Sequence, residues 1–285
     1  MTFERIGVVG AGMMGSEIAL VFAMAGHSVL ITDASEPALE RLSGQWETAL
    51  DKGIARGLVE PAQKTAALQN LRTTQSFGDY ADRDLLIEAV FEDEAVKADI
   101  FNKLDAACAP DCVIASNTST ISITTLAATV ASARRSRFLG MHFFSPVSRM
   151  KLVEVIPGID TDPVIVDRVM ALCRGAGKEP VHVKDVVGFA VNRLLHAFFI
   201  EATRLVEEGV ATPKDIDTAC RLGLGHPVGP FELMDAVTNK LNLQVQGILE
   251  DAYGPRFKPR PLLKQMVRAG YDGKKAGRGW HRYGS

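Results

Sequence analysis

A glycine pattern near the start of the chain has the spacing needed to bind a pyrophosphate group. It lies between an apolar run at residues 5–9, expected to be a strand, and residues 13–25, expected to be a helix that ends at Gly26. The pattern reads Gly10-Ala11-Gly12-Met13-Met14-Gly15. In G-x-G-x-x-G the first glycine permits a tight turn, the second admits a pyrophosphate, and the third lets helix and strand pack closely. Free N–H groups at the helix N-terminus would face the phosphates, so the pattern predicts a dinucleotide site.

An acidic residue at the end of the second apolar run indicates which dinucleotide binds. The run Ser28–Thr32 is expected to be a strand, and Asp33 follows it, 18 residues after Gly15. A carboxylate there can accept hydrogen bonds from the adenosine ribose hydroxyls, and it would repel a 2′-phosphate. NAD is therefore favoured over NADP. Taken alone, Asp33 could instead be a turn residue or a helix cap.

A histidine and a glutamate further along the chain have the spacing of a general base and its orienting acid. Two β-like runs, residues 138–144 and 150–156, flank a short polar segment. If the chain reverses at Ser148, His142 lies opposite Glu154, and partners across an antiparallel pair are about 5 Å apart. The carboxylate would fix the tautomer of the imidazole, which could then take a proton from an alcohol as hydride leaves the same carbon. The alternative is a buried strand histidine satisfied by a nearby acid.

The elements that must position these residues change character near residue 185. Before it, short β-like runs alternate with helical stretches, as in an α/β domain. After it, long helices are expected at 186–208, 230–239, 241–252 and 261–269, with a further one capped by Thr212. We therefore predict a doubly wound, mostly parallel, Rossmann-like sheet over residues 1–184, which is the NAD-binding domain. An all-helical domain for substrate binding and dimerisation is expected over 185–285.

Composition excludes several other classes of protein. The formal net charge of −2 argues against a nucleic-acid partner bound through a basic surface. No apolar run approaches the ~20 residues needed to cross a membrane, and the first apolar run is too short for a secretory signal. Cys108 and Cys112 are spaced like metal ligands, but no second cluster completes a site, so no metal is predicted. Reduced thiols indicate a cytoplasmic protein.

Motifs along nearly the whole chain resemble those of the 3-hydroxyacyl-CoA dehydrogenase family, especially its short members that act on 3-hydroxybutyryl-CoA. Their order and spacing are far more specific than the glycine pattern alone. Besides residues 10–15 they are Ile87-Glu88-Ala89-Val90-Phe91-Glu92, Ser116-Asn117-Thr118-Ser119, Gly140-Met141-His142-Phe143-Phe144, Lys151-Leu152-Val153-Glu154-Val155, Gly188-Phe189-Ala190-Val191-Asn192-Arg193 and Gly229-Pro230-Phe231-Glu232-Leu233.

The resemblance implies a role for each matching residue in the oxidation of an acyl-CoA substrate with NAD. His142 would be the catalytic base and Glu154 its orienting acid. Ser119 would lie near the substrate hydroxyl and the nicotinamide, and Asn192 would reach the substrate from the helical domain. The active site would lie in the cleft between domains of a homodimer. Three further residues match positions near the cofactor, namely Glu92, Lys97 and Lys275.

Without the resemblance, several of these residues have simpler interpretations. Ser119 would be a loop residue whose hydroxyl forms a local hydrogen bond, and Asn192 would be a polar residue at the rim of a helix. Lys97 and Lys275 would be solvated surface charges. Two more basic residues, Lys52 and Arg56, could meet the CoA phosphates, although a basic helix surface is the more common arrangement.

Ser145 marks a departure from the family pattern, which often has Asn at this cofactor-facing position. Some multifunctional relatives also have serine there, so activity is not excluded, although cofactor affinity or turnover is put in doubt. Two other functions stay open on the sequence. One is a β-hydroxyacid dehydrogenase for a free or sugar acid, although such enzymes commonly use a lysine base. The other is an NAD-binding protein without catalysis.

Overall fold

The computed structural model describes residues 3–284, which form two compact units. The first unit ends at Val186 and the second begins at Val187. The first is an α/β unit built on one eight-stranded sheet. Its strands are β1 Arg5–Val9, β2 Ser28–Thr32, β3 Leu71–Thr74, β4 Leu85–Glu88, β5 Val113–Ser116, β6 Phe138–Phe143, β7 Leu152–Pro157 and β8 Glu179–His182.

Six helices accompany the sheet. They are α1 Met13–Met24, α2 Glu36–Ile54, α3 Pro61–Gln69, α4 Glu94–Ala107, α5 Ile123–Ala127 and α6 Pro163–Gly175. Strands and helices alternate because each parallel connection needs a crossover, and most of these crossovers are helices. The alternation that the sequence predicts, including the bounds of β1 and β2, is confirmed.

The strand order β3-β2-β1-β4-β5-β6-β7-β8 fixes where a site can form. All neighbouring pairs are parallel except β6 and β7, which are antiparallel. The order reverses at β1, so the loop after β1 opens at the topological switch point of the sheet. In open α/β sheets ligands bind outside the carboxyl ends of the strands at such a point.

Nearly continuous apolar strands make the core of this unit. Side chains such as Val8, Ile31, Ile87 and Val113 are buried in one cluster with those of the packing helices. Strands covered on both faces are expected to be apolar throughout. A polar residue on one of these strands therefore needs a specific partner, and several of the polar residues at strand ends belong to the site described below.

The second unit is helical. It contains α7 Val191–Glu207, α8 Pro213–Gly223, α9 Pro230–Val237, α10 Asn239–Tyr253 and α11 Pro261–Arg268. The predicted cap of α8 is present, because the hydroxyl of Thr212 accepts a hydrogen bond from the Asp215 N–H at 3.2 Å. Two apolar clusters, one around Phe199 and Phe231 and one around Ile200 and Leu249, hold these helices together.

The first long helix begins five residues later than the sequence pattern predicts. We expected it to start at Val186, but residues 187–190 form a turn and α7 starts at Val191. Gly188 and Phe189 have positive φ values of 72° and 46°, which a right-handed helix does not accommodate. Apolar periodicity persists through this turn, which is why the sequence alone extended the helix.

Candidate active site

The glycine loop has a backbone that a side chain would disrupt at two positions. Gly10 has φ 108°, and a Cβ there would lie 2.6 Å from the carbonyl oxygen of Ala89. A Cβ on Gly15 would lie 1.9 Å from the carbonyl oxygen of Gly10. Gly12 differs, since a Cβ would meet no atom within 4 Å. Gly10 and Gly15 thus shape the loop, while Gly12 keeps space open in front of it.

This open space lies at the N-terminus of α1. Gly12 is the N-cap residue and has no side chain to satisfy the first N–H groups of the helix. A cavity of about 440 Å³ borders the loop and includes Gly12, Met13, Glu17, Arg41 and Trp46 among its lining residues. Helix N–H groups facing such a space suit a pyrophosphate. The arrangement fits a bound dinucleotide.

Asp33 is fixed by two backbone N–H groups. Its Oδ2 accepts from Ala11 N at 2.6 Å and its Oδ1 from Ser35 N at 2.8 Å. Asp33 therefore does act as a turn residue, the alternative that the sequence left open. Its carboxylate connects the end of β2 to the glycine loop. Each carboxylate oxygen retains a lone pair, so Asp33 still has the capacity to accept from ribose hydroxyls.

The antiparallel pair of β6 and β7 brings the histidine and the glutamate together. The register pairs His142 with Glu154, as predicted. The His142 Nδ1 lies 2.7 Å from Glu154 Oε2, and both side chains are buried. The buried carboxylate holds the proton on Nδ1, which leaves the Nε2 lone pair to accept. Ser119 Oγ lies 3.1 Å from that Nε2, so its hydroxyl donates along the same line.

Glu92 organises the loop that carries Ser119. Its Oε1 accepts hydrogen bonds from the N–H groups of Ser119 and Thr120, at 2.8 and 3.0 Å, and from the hydroxyl of Thr118 at 2.6 Å. Burial favours its neutral form, but the Lys97 ammonium and these hydrogen bonds hold the pKa of Glu92 below its usual value. Glu92 therefore stays charged and anchors the loop at neutral pH.

Lys97 is not the surface charge that its residue type alone indicates. The side chain is 1% exposed, and its Nζ lies 2.6 Å from Glu88 Oε1 and 3.4 Å from Glu92 Oε2. The simple interpretation from sequence is wrong here because α4 packs Lys97 against the end of β4, where two carboxylates compensate it. A buried lysine needs such pairing.

Two candidate residues of the first unit are not part of this hydrogen-bonded group. Lys52 is exposed in the last turn of α2, and Arg56 is exposed in the turn that follows the helix. Lys52 lines a surface depression of about 450 Å³ together with Arg41, Gln45 and Thr48. In the second unit, half-buried Asn192 lies in the first turn of α7, and exposed Lys275 lies in a short 3₁₀ turn.

Ser145 is exposed in the loop between β6 and β7, and two charged residues hold the part of that loop that follows Ser145. The N–H of Val147 donates to Glu17 Oε2, and Lys178 Nζ donates to the carbonyl oxygens of Val147 and, at 3.1 Å, Met150. These contacts fix the backbone next to Ser145.

Three residues of this region had no role in the sequence analysis. Glu88 and Ser116 end β4 and β5, and they hydrogen-bond to each other at 2.7 Å. Asn117 accepts from the N–H of Phe143 at 2.9 Å, which ties the Ser119 loop to β6. A sequence signal did exist, since Glu88 is a charged residue closing a run of buried apolar strand residues.

Residues 3–284 contain no cluster of three or more His, Cys, Asp or Glu side chains that could hold a metal ion. Cys108 and Cys112 are both buried free thiols. No helix within the same described range has the length and apolar character to cross a membrane. The chemistry that this group of side chains offers is proton transfer at His142, in the unit that also carries the glycine loop.

Replacing glycines of the loop by alanine separates its two functions. Gly12→Ala has space for its methyl group, so we expect an unchanged Tm and weaker NADH binding, because the methyl would meet the pyrophosphate. Gly15→Ala drives Cβ into the Gly10 carbonyl, so we expect a lower Tm as well. Thermal unfolding and NADH fluorescence titration measure the two effects. Equal NADH affinity in Gly12→Ala and wild type would place the pyrophosphate elsewhere.

Asp33→Ala is expected to reduce the preference for NADH over NADPH. The variant removes the charge that opposes a 2′-phosphate, and it also frees the Ala11 N–H. The measurement is the ratio of kcat/KM for the two cofactors. A ratio equal to that of wild type, with both cofactors weakened alike, would mean that Asp33 only shapes the loop.

The chain matches two family models that together span it. Residues 5–186 match the NAD binding domain of 3-hydroxyacyl-CoA dehydrogenase, and residues 188–283 match the C-terminal domain of 3-hydroxyacyl-CoA dehydrogenase. A 3-hydroxybutyryl-CoA dehydrogenase of Mycobacterium tuberculosis is 42% identical over 283 residues, covering 98% of both chains. The human mitochondrial hydroxyacyl-coenzyme A dehydrogenase is 39% identical, over 98% of this chain and 91% of its own. The crystal structure of (S)-3-hydroxybutyryl-CoA dehydrogenase from Ralstonia eutropha is 38% identical, covers 100% of both chains and superposes with a TM-score of 0.96. The chain therefore belongs to the 3-hydroxyacyl-CoA dehydrogenase family.

Proposed function

We propose that the protein interconverts a short (S)-3-hydroxyacyl-CoA, with 3-hydroxybutyryl-CoA as the first candidate, and the corresponding 3-oxoacyl-CoA. The observation that carries this proposal is the hydrogen-bonded line Ser119–His142–Glu154 in the NAD-binding unit. We infer a short acyl group from the names of relatives that match over at least 98% of their length.

His142 is the proposed general base. With its Nδ1 proton held by Glu154, the Nε2 atom takes the proton of the substrate hydroxyl when the alcohol is oxidised, and returns it in the reverse direction. Bound NAD supplies the hydride acceptor. The buried Glu154 carboxylate stabilises the imidazolium that forms, because it keeps a compensating charge at hydrogen-bond distance from Nδ1.

Ser119 is the proposed hydroxyl-binding residue beside the base. Its Oγ lies at hydrogen-bond distance from Nε2, so a substrate hydroxyl that replaces or shares this contact is placed for proton transfer. Asn192 is the proposed substrate contact from the second unit. Gly10 to Gly15, Asp33, Glu92, Lys97, Ser145 and Lys275 are proposed to serve the cofactor, and Lys52 and Arg56 the CoA phosphates.

The second unit is proposed to form a homodimer. Large apolar side chains stay exposed on its helices, including Leu194 at 73% and Leu222 at 84%. Such residues are characteristic of an interface when they are contiguous. Analytical ultracentrifugation should give about twice the mass of 30.8 kDa. A species with the mass of one chain at micromolar protein concentration would contradict this.

The four free thiols suit a reducing compartment, and the cytoplasm is our proposal for the location.

The direct test of the function is oxidation of NADH by acetoacetyl-CoA, followed by absorbance at 340 nm. Steady turnover is expected, and a series of 3-oxoacyl-CoA chain lengths should show the highest kcat/KM for a short acyl group. Cofactor binding without turnover on any acyl-CoA would refute the proposal and favour an NAD-binding protein without catalysis.

His142 and Glu154 are expected to act as one unit in this assay. His142→Ala should lower kcat by at least ~10²-fold, the usual scale for a lost general base. Glu154→Gln should also lower kcat, since the imidazolium loses its compensating charge. The double variant should be far less impaired than the product of the single losses, because coupled residues are not additive.

His182→Ala is the matched control for these variants. His182 is an exposed histidine on β8 of the same sheet, so its loss should leave kcat within about twofold of wild type. Losses that multiply fully in the double variant would show that His142 and Glu154 act independently.

A further inference from the structure

Glu88 is a fully buried carboxylate at the end of β4. Oε1 accepts from Lys97 Nζ at 2.6 Å and from the N–H of Val90 at 2.7 Å. Oε2 accepts from the hydroxyl of Ser116 at 2.7 Å. Burying a carboxylate is costly unless it is paired and hydrogen-bonded. The partners satisfy Glu88, and they also connect it to two other elements.

One connection runs through the neighbouring strand. The register of β4 and β5 pairs Glu88 with Ser116, the last residue before the Ser119 loop. The Ser116 Oγ that donates to Glu88 also accepts from the N–H of Thr118 at 3.2 Å. Glu88 therefore sets the orientation of a hydroxyl that fixes the first turn of this loop.

The other connection runs through Lys97. The ammonium lies between Glu88 and Glu92, so the two carboxylates share one buried positive charge. Glu92 then accepts from the N–H groups of Ser119 and Thr120. Glu88 thus holds the Lys97 ammonium in place by an ion pair, and the ammonium in turn holds the Glu92 carboxylate. Glu92 then fixes the backbone of Ser119 by a hydrogen bond.

We propose that Glu88 is a positioning residue that fixes the Ser119 hydroxyl at His142 through both connections. Its carboxylate hydrogen-bonds to Lys97, Val90 and Ser116, so the side chain acts on the reacting groups indirectly. The Ser119 Oγ lies 3.1 Å from His142 Nε2 at the end of the two paths. A small misalignment of reacting groups lowers the reaction rate strongly. We therefore expect the buried charge of Glu88 to affect kcat as well as the stability of the fold. The expected catalytic effect rests on the function proposed above.

Glu88→Gln tests the proposal, with Asp105→Asn as the matched control. Both variants remove one carboxylate from an ion pair of the same unit, and both pairs involve α4; the Asp105 side chain is 18% exposed, whereas that of Glu88 is fully buried. Asp105 lies 2.9 Å from Arg134 Nε, near the opposite end of α4 from Lys97. Both substitutions should lower Tm. Only Glu88→Gln should lower kcat, by at least about tenfold, while Asp105→Asn stays within about twofold.

Hydrogen exchange of the Ser119 and Thr120 amides gives a readout independent of turnover. In Glu88→Gln these amides should exchange at least about tenfold faster than in wild type, since Glu92 no longer has a fixed partner, and in Asp105→Asn they should not. Ser116→Ala removes only one of the two connections. It should give a smaller loss of kcat, roughly three- to tenfold, and it decides the question if Glu88→Gln does not fold.

The outcomes separate this proposal from the proposed function. If wild type turns over no acyl-CoA, the proposed function fails, and the exchange rates alone then decide whether Glu88 positions the loop. Faster exchange confined to Glu88→Gln and Ser116→Ala supports the proposal. Unchanged exchange, or equal losses of kcat in Glu88→Gln and Asp105→Asn, overturns it.

Discussion

Parallel strand pairing gathers the candidate site at one edge of the sheet. Because β1, β4, β5 and β6 run in the same direction, their carboxyl ends meet at that edge. The glycine loop, Glu88, Ser116 and His142 belong to four segments that are far apart in sequence, and this constraint makes them neighbours. The one antiparallel pair, β6 with β7, then adds Glu154 from a strand running the other way. Without that reversal, no carboxylate would lie beside the imidazole Nδ1.

Buried charge is the main cost of building the site. Residues Glu88, Lys97, His142 and Glu154 are all at most 5% exposed. Each has a partner of opposite charge or a hydrogen-bond donor, so the cost of desolvation is offset. Such networks are rigid because every member has its geometry fixed by the others. A rigid Ser119 loop next to a fixed imidazole is what the proposed proton transfer at a substrate hydroxyl requires.

In the second unit, buried carboxylates also order a segment of the chain, residues 280–283. Buried Asp235 accepts from the N–H groups of Trp280 and His281, each at 2.9 Å, and from the hydroxyl of Tyr283 at 3.0 Å. Asp217 lies 2.7 Å from His281 Nε2, and burial raises the pKa of Asp217 above its usual value. The segment that carries Lys275 is thus tied to α8 and α9 on its C-terminal side. Local order there comes from polar contacts as well as apolar packing.

The sequence by itself determined the class of fold, the dinucleotide loop and the pairing of His142 with Glu154. These depend on local signals, namely glycine spacing, strand length and alternation, and a short reversal that sets the register. Tertiary structure alone decided that Lys97 is buried between two glutamates, that Asp33 already binds the glycine loop, and that α7 starts at Val191. The hydrogen bond between Glu88 and Ser116 depends on tertiary structure in the same way. Each of these facts depends on which distant segment of the chain packs next to a residue. The type of a residue and its spacing from its neighbours do not specify that packing.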